Sequence, residues 1–176
     1  MMRLSLVVLA LGTAALAAIP AAAQVGSPDA TDGPGLVVGV NVNATRVSSG
    51  GHDTGGGVGL TLGYVVTPGL SLFARGGTAF RSSQVDLGAR YSFGARSDRV
   101  RPYFEGALSR VDYLRTADRV AGYGLTGATG IELRVTRGVA LDLGVSSTYG
   151  QFERGIFPAR ADFTSTRLNL GVRWRP

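Results

Sequence analysis

Cysteine is absent from this 176-residue chain, and so is lysine: all 18 basic residues are arginine. Without cysteine there is no disulfide framework, and no lipobox from which a lipid anchor would hang. A single histidine, His52, leaves a metal site with no second histidine or cysteine to complete it. Beyond Ile19 no apolar run approaches the roughly 20 residues that a membrane-spanning helix needs, so any crossing has to be made of strands. The exclusive use of arginine has the look of GC-rich codon bias and is background. A formal charge of +6 and a pI near 10.5 raise the question of nucleic acid. The arginines are scattered along the whole chain with no run and no recognition motif, so no nucleic-acid partner is expected.

What the chain does contain begins with a secretion signal. Met1-Met2-Arg3 is a short basic start, Leu4–Ile19 is apolar apart from Ser5, Gly12 and Thr13, and Ala21-Ala22-Ala23 supplies small residues for cleavage. Residues 1–23 read as a signal peptide. Residues 24–34 (QVGSPDATDGP) read as a flexible leader, and residues 35–176 as one domain.

That domain alternates apolar and polar residues along eight segments. In the second, Val58, Leu60, Leu62, Tyr64 and Val66 fall on one side, with Gly59, Thr61 and Gly63 on the other. Strict period two predicts strands with two unlike faces. The first strand, over about 36–47, carries Leu36, Val38, Val40 and Val42 opposite Gly39, Asn41, Asn43 and Thr45. The seventh is predicted to turn Val139, Leu141, Leu143 and Val145 outward. Tight turns are predicted at Thr67–Gly69, Ala95–Asp98 and Val135–Gly138, and longer polar loops at SSGGHDTGGG, DYLRTADR and GQFERGIFPARAD. The connection Arg81–Ser83 is a short exception to that alternation. The fold class predicted is all-β, an eight-stranded antiparallel up-and-down transmembrane β-barrel.

The composition of the faces separates a membrane barrel from a soluble one. A soluble barrel would turn its apolar face to the cavity and cover the other in charge. Here the polar face is mostly Gly, Ser, Thr, Asn and Ala, which suits the cramped inside of eight strands. Charges of both signs share that inner face: Asp86, Glu105, Glu132 and Asp142 with Arg75, Arg90, Arg101, Arg134, Arg167 and Arg173. Buried charges persist when paired, so a salt-bridged lumen is predicted. Tyr64, Tyr91, Phe93 and Trp174 at one end, and Phe80, Tyr123 and Tyr149 at the other, predict two outward aromatic belts.

With those residues in place, the chain resembles the small outer-membrane β-barrel family that includes OmpA- and OmpX-type barrels. The resemblance covers about residues 35–176, and its most specific part is the last strand, Leu168-Asn169-Leu170-Gly171-Val172-Arg173-Trp174-Arg175-Pro176. Family members end in such an alternation closing on an aromatic; Trp174 matches, and Pro176 stands where a terminal Phe is the rule. The resemblance implies an outer-membrane location and assembly by the barrel-assembly machinery. Outer-membrane lipid and lipopolysaccharide are the partners expected, and a monomer the state.

Little points to chemistry. His52 beside Asp53 sits in a glycine-rich stretch, a poor platform for catalysis, and reads as a solvated loop residue. Lipid A-modifying barrels of the deacylase type use a His and a Ser near one strand end, and no His-x-Ser occurs in a strand here. Gly55–Gly57 and Gly122-x-Gly124 lack the helix and the acidic or lysine partners of phosphate loops. Arg110, Arg115, Arg119, Arg154 and Arg160 gather in or beside the longer loops, either as contacts for lipopolysaccharide phosphates or as part of a mixed-charge solvated surface. The expectation is a non-enzymatic barrel without cofactor or metal, structural or interactional in role. A lipid- or small-ligand-handling barrel, including a lipid A-modifying enzyme, is the alternative, and a soluble periplasmic lipocalin-like barrel the third reading.

Overall fold

A computed structural model describes residues 34–49, 52–94, 98–115, 118–153 and 162–175, except for the side chains of 115, 118 and 119. Its elements are β1 (Gly35–Ser48), β2 (His52–Val65), β3 (Leu70–Ala79), β4 (Ser82–Ser92), β5 (Val100–Arg115), β6 (Asp118–Arg134), β7 (Val139–Phe152) and β8 (Asp162–Trp174). Every strand pairs antiparallel with its neighbour in sequence, and β1 pairs with β8 to close the barrel. Closure leaves no strand edge, so each ladder group has a partner within the wall. The signal and leader segments lie outside the described residues.

Alternation in the sequence becomes alternation across the wall. On β5, Arg101, Tyr103, Glu105, Ala107, Ser109 and Val111 are buried, while Pro102, Phe104, Gly106, Leu108 and Arg110 are exposed. The apolar side is the outer one. Leu87, Leu108 and Leu125 are direct neighbours on β4, β5 and β6, and each is at least 60% exposed. Val139 departs from the expected phase. It is buried at the start of β7, opposite Trp174, and regular alternation of exposed and buried residues begins only at Leu143.

The polar stretches expected as loops are mostly strand. SSGGHDTGGG closes as a hairpin in which Ser48 faces His52 and Thr45 faces Gly55, so β2 begins six residues before Val58. DYLRTADR extends the β5–β6 pair to Arg115↔Asp118. The segment after β7 is shortened at both ends, with β7 reaching Phe152 and β8 starting at Asp162. Conversely, the connection from β4 to β5, expected as a short turn, spans residues 93–99. Polar sequence pairs here because a ladder already formed in the wall is extended at one hydrogen bond per residue, without the loop-closure cost of a new pairing. The result is an uneven rim: β5 and β6 have 16 and 17 residues, β3 and β4 only 10 and 11.

Large inward side chains are seated against glycines. A Cβ on Gly150 would lie 2.8 Å from Phe163 Cε1, and one on Gly130 would lie 2.6 Å from the Tyr103 hydroxyl. Glycine on one strand thus makes room for a ring from another. Phe80 is the exception to ordinary backbone: at φ 43° it turns the two-residue β3–β4 hairpin in a left-handed conformation that a bulky residue adopts at a cost of about 1–3 kcal/mol.

Arginine in place of Leu108 or Leu125 is expected to lower folding stability in lipid vesicles by about 2–4 kcal/mol, the cost of charge at mid-bilayer. Arg110→Leu, nearer the rim, should change it by less than about 1 kcal/mol. Urea unfolding of vesicle-inserted protein measures both, and equal effects would mean that these faces do not meet lipid.

Candidate functional site

The lumen and the rim are the two places where this wall can do anything chemical. The lumen is layered. At its centre lies a chain of charge: Arg90 Nη2 is 2.5 Å from Glu105 Oε1, its Nε donates to the same oxygen at 2.6 Å, and its Nη1 reaches Asp142 at 3.1 Å and Glu132 at 3.8 Å. The guanidinium also lies over the Tyr103 ring, 3.8 Å from its centroid. Arg75 bridges Glu105 and Asp86, the latter at 3.7 Å. Arg173 holds Glu132 at 2.7 Å and Asp142 at 3.6 Å. Arg101 is 3.8 Å from Glu132 and also donates to the Pro68 carbonyl at 3.1 Å. Arg167 lies 3.9 Å from Asp86 and bonds Gln84.

The structure therefore brings nine of the ten predicted lumen charges into contact and leaves Arg134 apart, at the turn end of β6. Two features were not read from the sequence. One is a knot of hydroxyl and amide groups around Asp86 toward the rim, where Gln84 Nε2 donates to Thr148 Oγ1 at 3.1 Å and Ser109 donates to Asp86 at 2.6 Å. Thr126 and Thr148 share a bond of 2.6 Å. Gln84 sits in phase with Asp86 and Arg90 on β4, and that phase was the available signal. The other is an apolar stopper inside the rim: Val111, Val120, Phe152 and Phe163, with Tyr113 against them and Phe152 stacked on Phe163 at 4.6 Å. Tyr113 and Phe152 fell in segments expected as loops and Val111, Val120 and Phe163 directly beside them, so their inward phase was not traced.

At the rim, His52 is exposed and its Nδ1 is 2.9 Å from Ser48 Oγ. Asp53 does not back the imidazole; it accepts a hydrogen bond from Tyr113 on the opposite wall. Among the described residues no carboxylate orients the ring, so within them the Ser–His contact lacks the third member of a nucleophilic relay. Among the described residues no group of three His, Asp or Glu is placed to hold a metal. Arg110 is exposed, 3.5 Å from Asp112, with its guanidinium 5.9 Å from the Tyr123 ring. Arg154, Arg160 and the side chains of Arg115 and Arg119 lie outside the described residues.

The aromatics point outward at both ends of the wall. Tyr64, Tyr91 and Phe93 are exposed at the turn end and Trp174 partly so; Phe80, Tyr123 and Tyr149 are exposed toward the rim. Phe104 joins the turn-end group, edge-on to Phe93 at 5.6 Å.

A family model of the outer membrane protein β-barrel domain matches residues 9–175. The chain belongs to that family. It is an outer-membrane protein that crosses the bilayer with its strands. Among solved structures, Neisserial surface protein A (NspA) is similar at 23% identity, covering 82% of this chain and 99% of that one, with a TM-score of 0.67. The N-terminal barrel of Pseudomonas aeruginosa OprF is similar at 16% identity, 76% and 96% coverage, and a TM-score of 0.51. Ail of Yersinia pestis, solved with the heparin analogue sucrose octasulfate, is similar at 11% identity, 81% and 99% coverage, and a TM-score of 0.52. At these identities the likeness is one of fold. No curated protein sequence matches the chain.

Removing one acid from the lumen takes from its arginines their nearest partner. Glu105→Ala is expected to cost about 3–5 kcal/mol, because Arg75 and Arg90 are left buried without it. Adding Arg75→Met should recover part of that loss, giving a coupling of about 0.5–3 kcal/mol in a double-mutant cycle by urea unfolding from vesicles. Additive losses would show these charges to be independently solvated.

Proposed function

We propose that this protein is a non-enzymatic, monomeric outer-membrane barrel whose role is to present its rim to partners, with phosphorylated lipopolysaccharide the first of them. Its lumen is a filled, salt-bridged support and not a passage. The observation that carries this reading is the packed rim: β5 and β6 exceed the roughly 9–11 residues of a tilted crossing by about six. Their ends are held by the stopper around Phe152 and Phe163 and tied across the mouth by the Tyr113–Asp53 bond. A rim ordered in this way meets a partner with little ordering cost. β1 begins and β8 ends at the other end, and the longest connection, residues 153–161, leaves from the rim, which supports a rim outside the cell by the ordinary orientation of such barrels.

The chemistry of the rim favours anions. Arg46 on β1, Arg81 in the β3–β4 turn and Arg110 on β5 are all exposed and outward. Arg81 and Arg110 stand against the rings of Phe80 and Tyr123, at 5.3 and 5.9 Å. Guanidinium groups at the level of interfacial aromatics are positioned for the phosphates of the surrounding lipid. Arg115, Arg119, Arg154 and Arg160 belong to the same end in sequence. The solved Ail complex with a sulfated sugar is a precedent for this fold meeting a polyanion, though at 11% identity it is a precedent of fold only. Biogenesis through the barrel-assembly machinery completes the reading.

The test is binding to vesicles with and without lipopolysaccharide. Replacing Arg46, Arg81 and Arg110 together by Gln is expected to weaken association with lipopolysaccharide by about tenfold or more and to leave association with phosphatidylcholine unchanged. Retained affinity would sink the rim reading. Lipid A from cells expressing the protein should keep its mass; a shift in mass that Ser48→Ala or His52→Ala abolishes would establish the enzyme instead.

A further inference from the structure

The turn end of the barrel holds a cavity on whose wall the charge network meets two arginines outside it, Arg134 and Arg137. It measures about 70 Å³ and is lined by the turns Thr67–Gly69 and Thr136–Gly138 together with Ser71, Ser92, Arg101, Glu132, Arg134 and Arg173. A single water needs about 10–15 Å³, so the cavity has room for several waters or a small anion. It lies at the turn end, away from the rim, and Glu132 and Arg173 on its wall also belong to the Arg90 cluster.

Its charge is one-sided. Among the described residues that line it, Glu132 is the one acid, and that carboxylate already faces Arg90, Arg101 and Arg173. Arg134 and Arg137 also line the cavity, and among the described residues neither has an ion-pair partner. Two guanidinium groups without an ion-pair partner among the described residues, with Ser71, Ser92 and Thr136 on the same wall, suit a doubly charged tetrahedral anion. A carboxylate would leave one of the two forks unmatched.

We propose that this turn-end cavity binds a phosphate group, with Arg134 and Arg137 as its principal ligands. In the orientation given above it faces the periplasm. Phosphate chemistry reaches that place from two sources, free phosphate in solution or the headgroup of an inner-leaflet phospholipid. Trp174 and Leu70 line the same cavity at the lipid-facing wall, so a headgroup has a lateral approach as well.

The experiment uses ¹⁵N-labelled full-length protein in dodecyl maltoside, a detergent without phosphate, at constant ionic strength. Inorganic phosphate should produce saturable shifts at the amides of Thr136–Val139 and at the guanidinium groups of Arg134 and Arg137. Arg134→Gln and Arg137→Gln should each weaken the response by about tenfold, while Arg110→Gln at the rim leaves it unchanged. A second arm uses monomeric dihexanoylphosphatidic acid. Tighter binding than inorganic phosphate assigns the site to a headgroup, and equal or weaker binding assigns it to the free anion. Heat-shifted mobility on gels verifies that each variant is folded, and Arg137→Gln, on an exposed turn, serves if Arg134→Gln does not assemble. Shifts that fail to saturate, that acetate reproduces at equal concentration, or that persist in the Arg137→Gln variant overturn the proposal.

Discussion

A polypeptide in hydrocarbon has to satisfy its own backbone, and everything else in this molecule follows from how eight strands do so. Each unpaired N–H or C=O in lipid costs several kcal/mol, so the sheet must close, as it does through the β1–β8 pairing from Val38↔Trp174 to Ser48↔Thr164. Closure with only eight strands fixes a narrow interior. Outside, the wall needs only apolar surface of no particular shape, which leucine and valine supply. Inside, shape and charge have to be matched residue by residue, so the inner face carries the individuality of the protein.

Two kinds of matching occupy that interior. Rings are matched to glycines: Tyr103 lies over Gly130 and Gly144, and Phe163 over Gly122 and Gly150. Charges are matched in a connected chain, with Arg90 joining acids from β5, β6 and β7. The two schemes are interleaved, because Tyr103 also offers its ring face to Arg90. Volume and electrostatics are thus solved by the same side chains, and a change at one is transmitted to the other.

The wall was legible in the sequence because period two is a local signal and needs no partner. Leu36–Val42, Leu60–Tyr64 and Leu168–Trp174 declare both strand and outward face by themselves. The position of the lumen acids was legible for the same reason, since Asp86 and Arg90 share a phase with Gly88. What escaped was the extent of the strands toward the rim. His52–Gly57 and Asp112–Arg115 have the composition of loops, and they pair only because a neighbouring strand is already in register. The stopper escaped with them, since an inward Phe152 or Phe163 is recognised only once the strand that carries it is known to continue. The turn-end cavity was hidden for a further reason. Arg134 has the phase of a lumen charge, but that no acid among the described residues pairs with it is a fact of three dimensions.

The absence of lysine, whatever its origin in codon usage, bears on how so many charges fit into so small a space. Arg90 spreads its three nitrogens over Glu105, Glu132 and Asp142, and one face of the same group lies on an aromatic ring. A lysine ammonium is a compact, strongly hydrated charge that brings no planar fork and no face to stack. Replacing Arg90 by Lys would keep the formal charge and lose the bridge between the acid of β5 and those of β6 and β7. The three carboxylates would then face one another across the lumen with a single point charge that cannot reach all of them. The narrowness imposed by eight strands therefore makes arginine necessary at this centre in a way that net charge does not record.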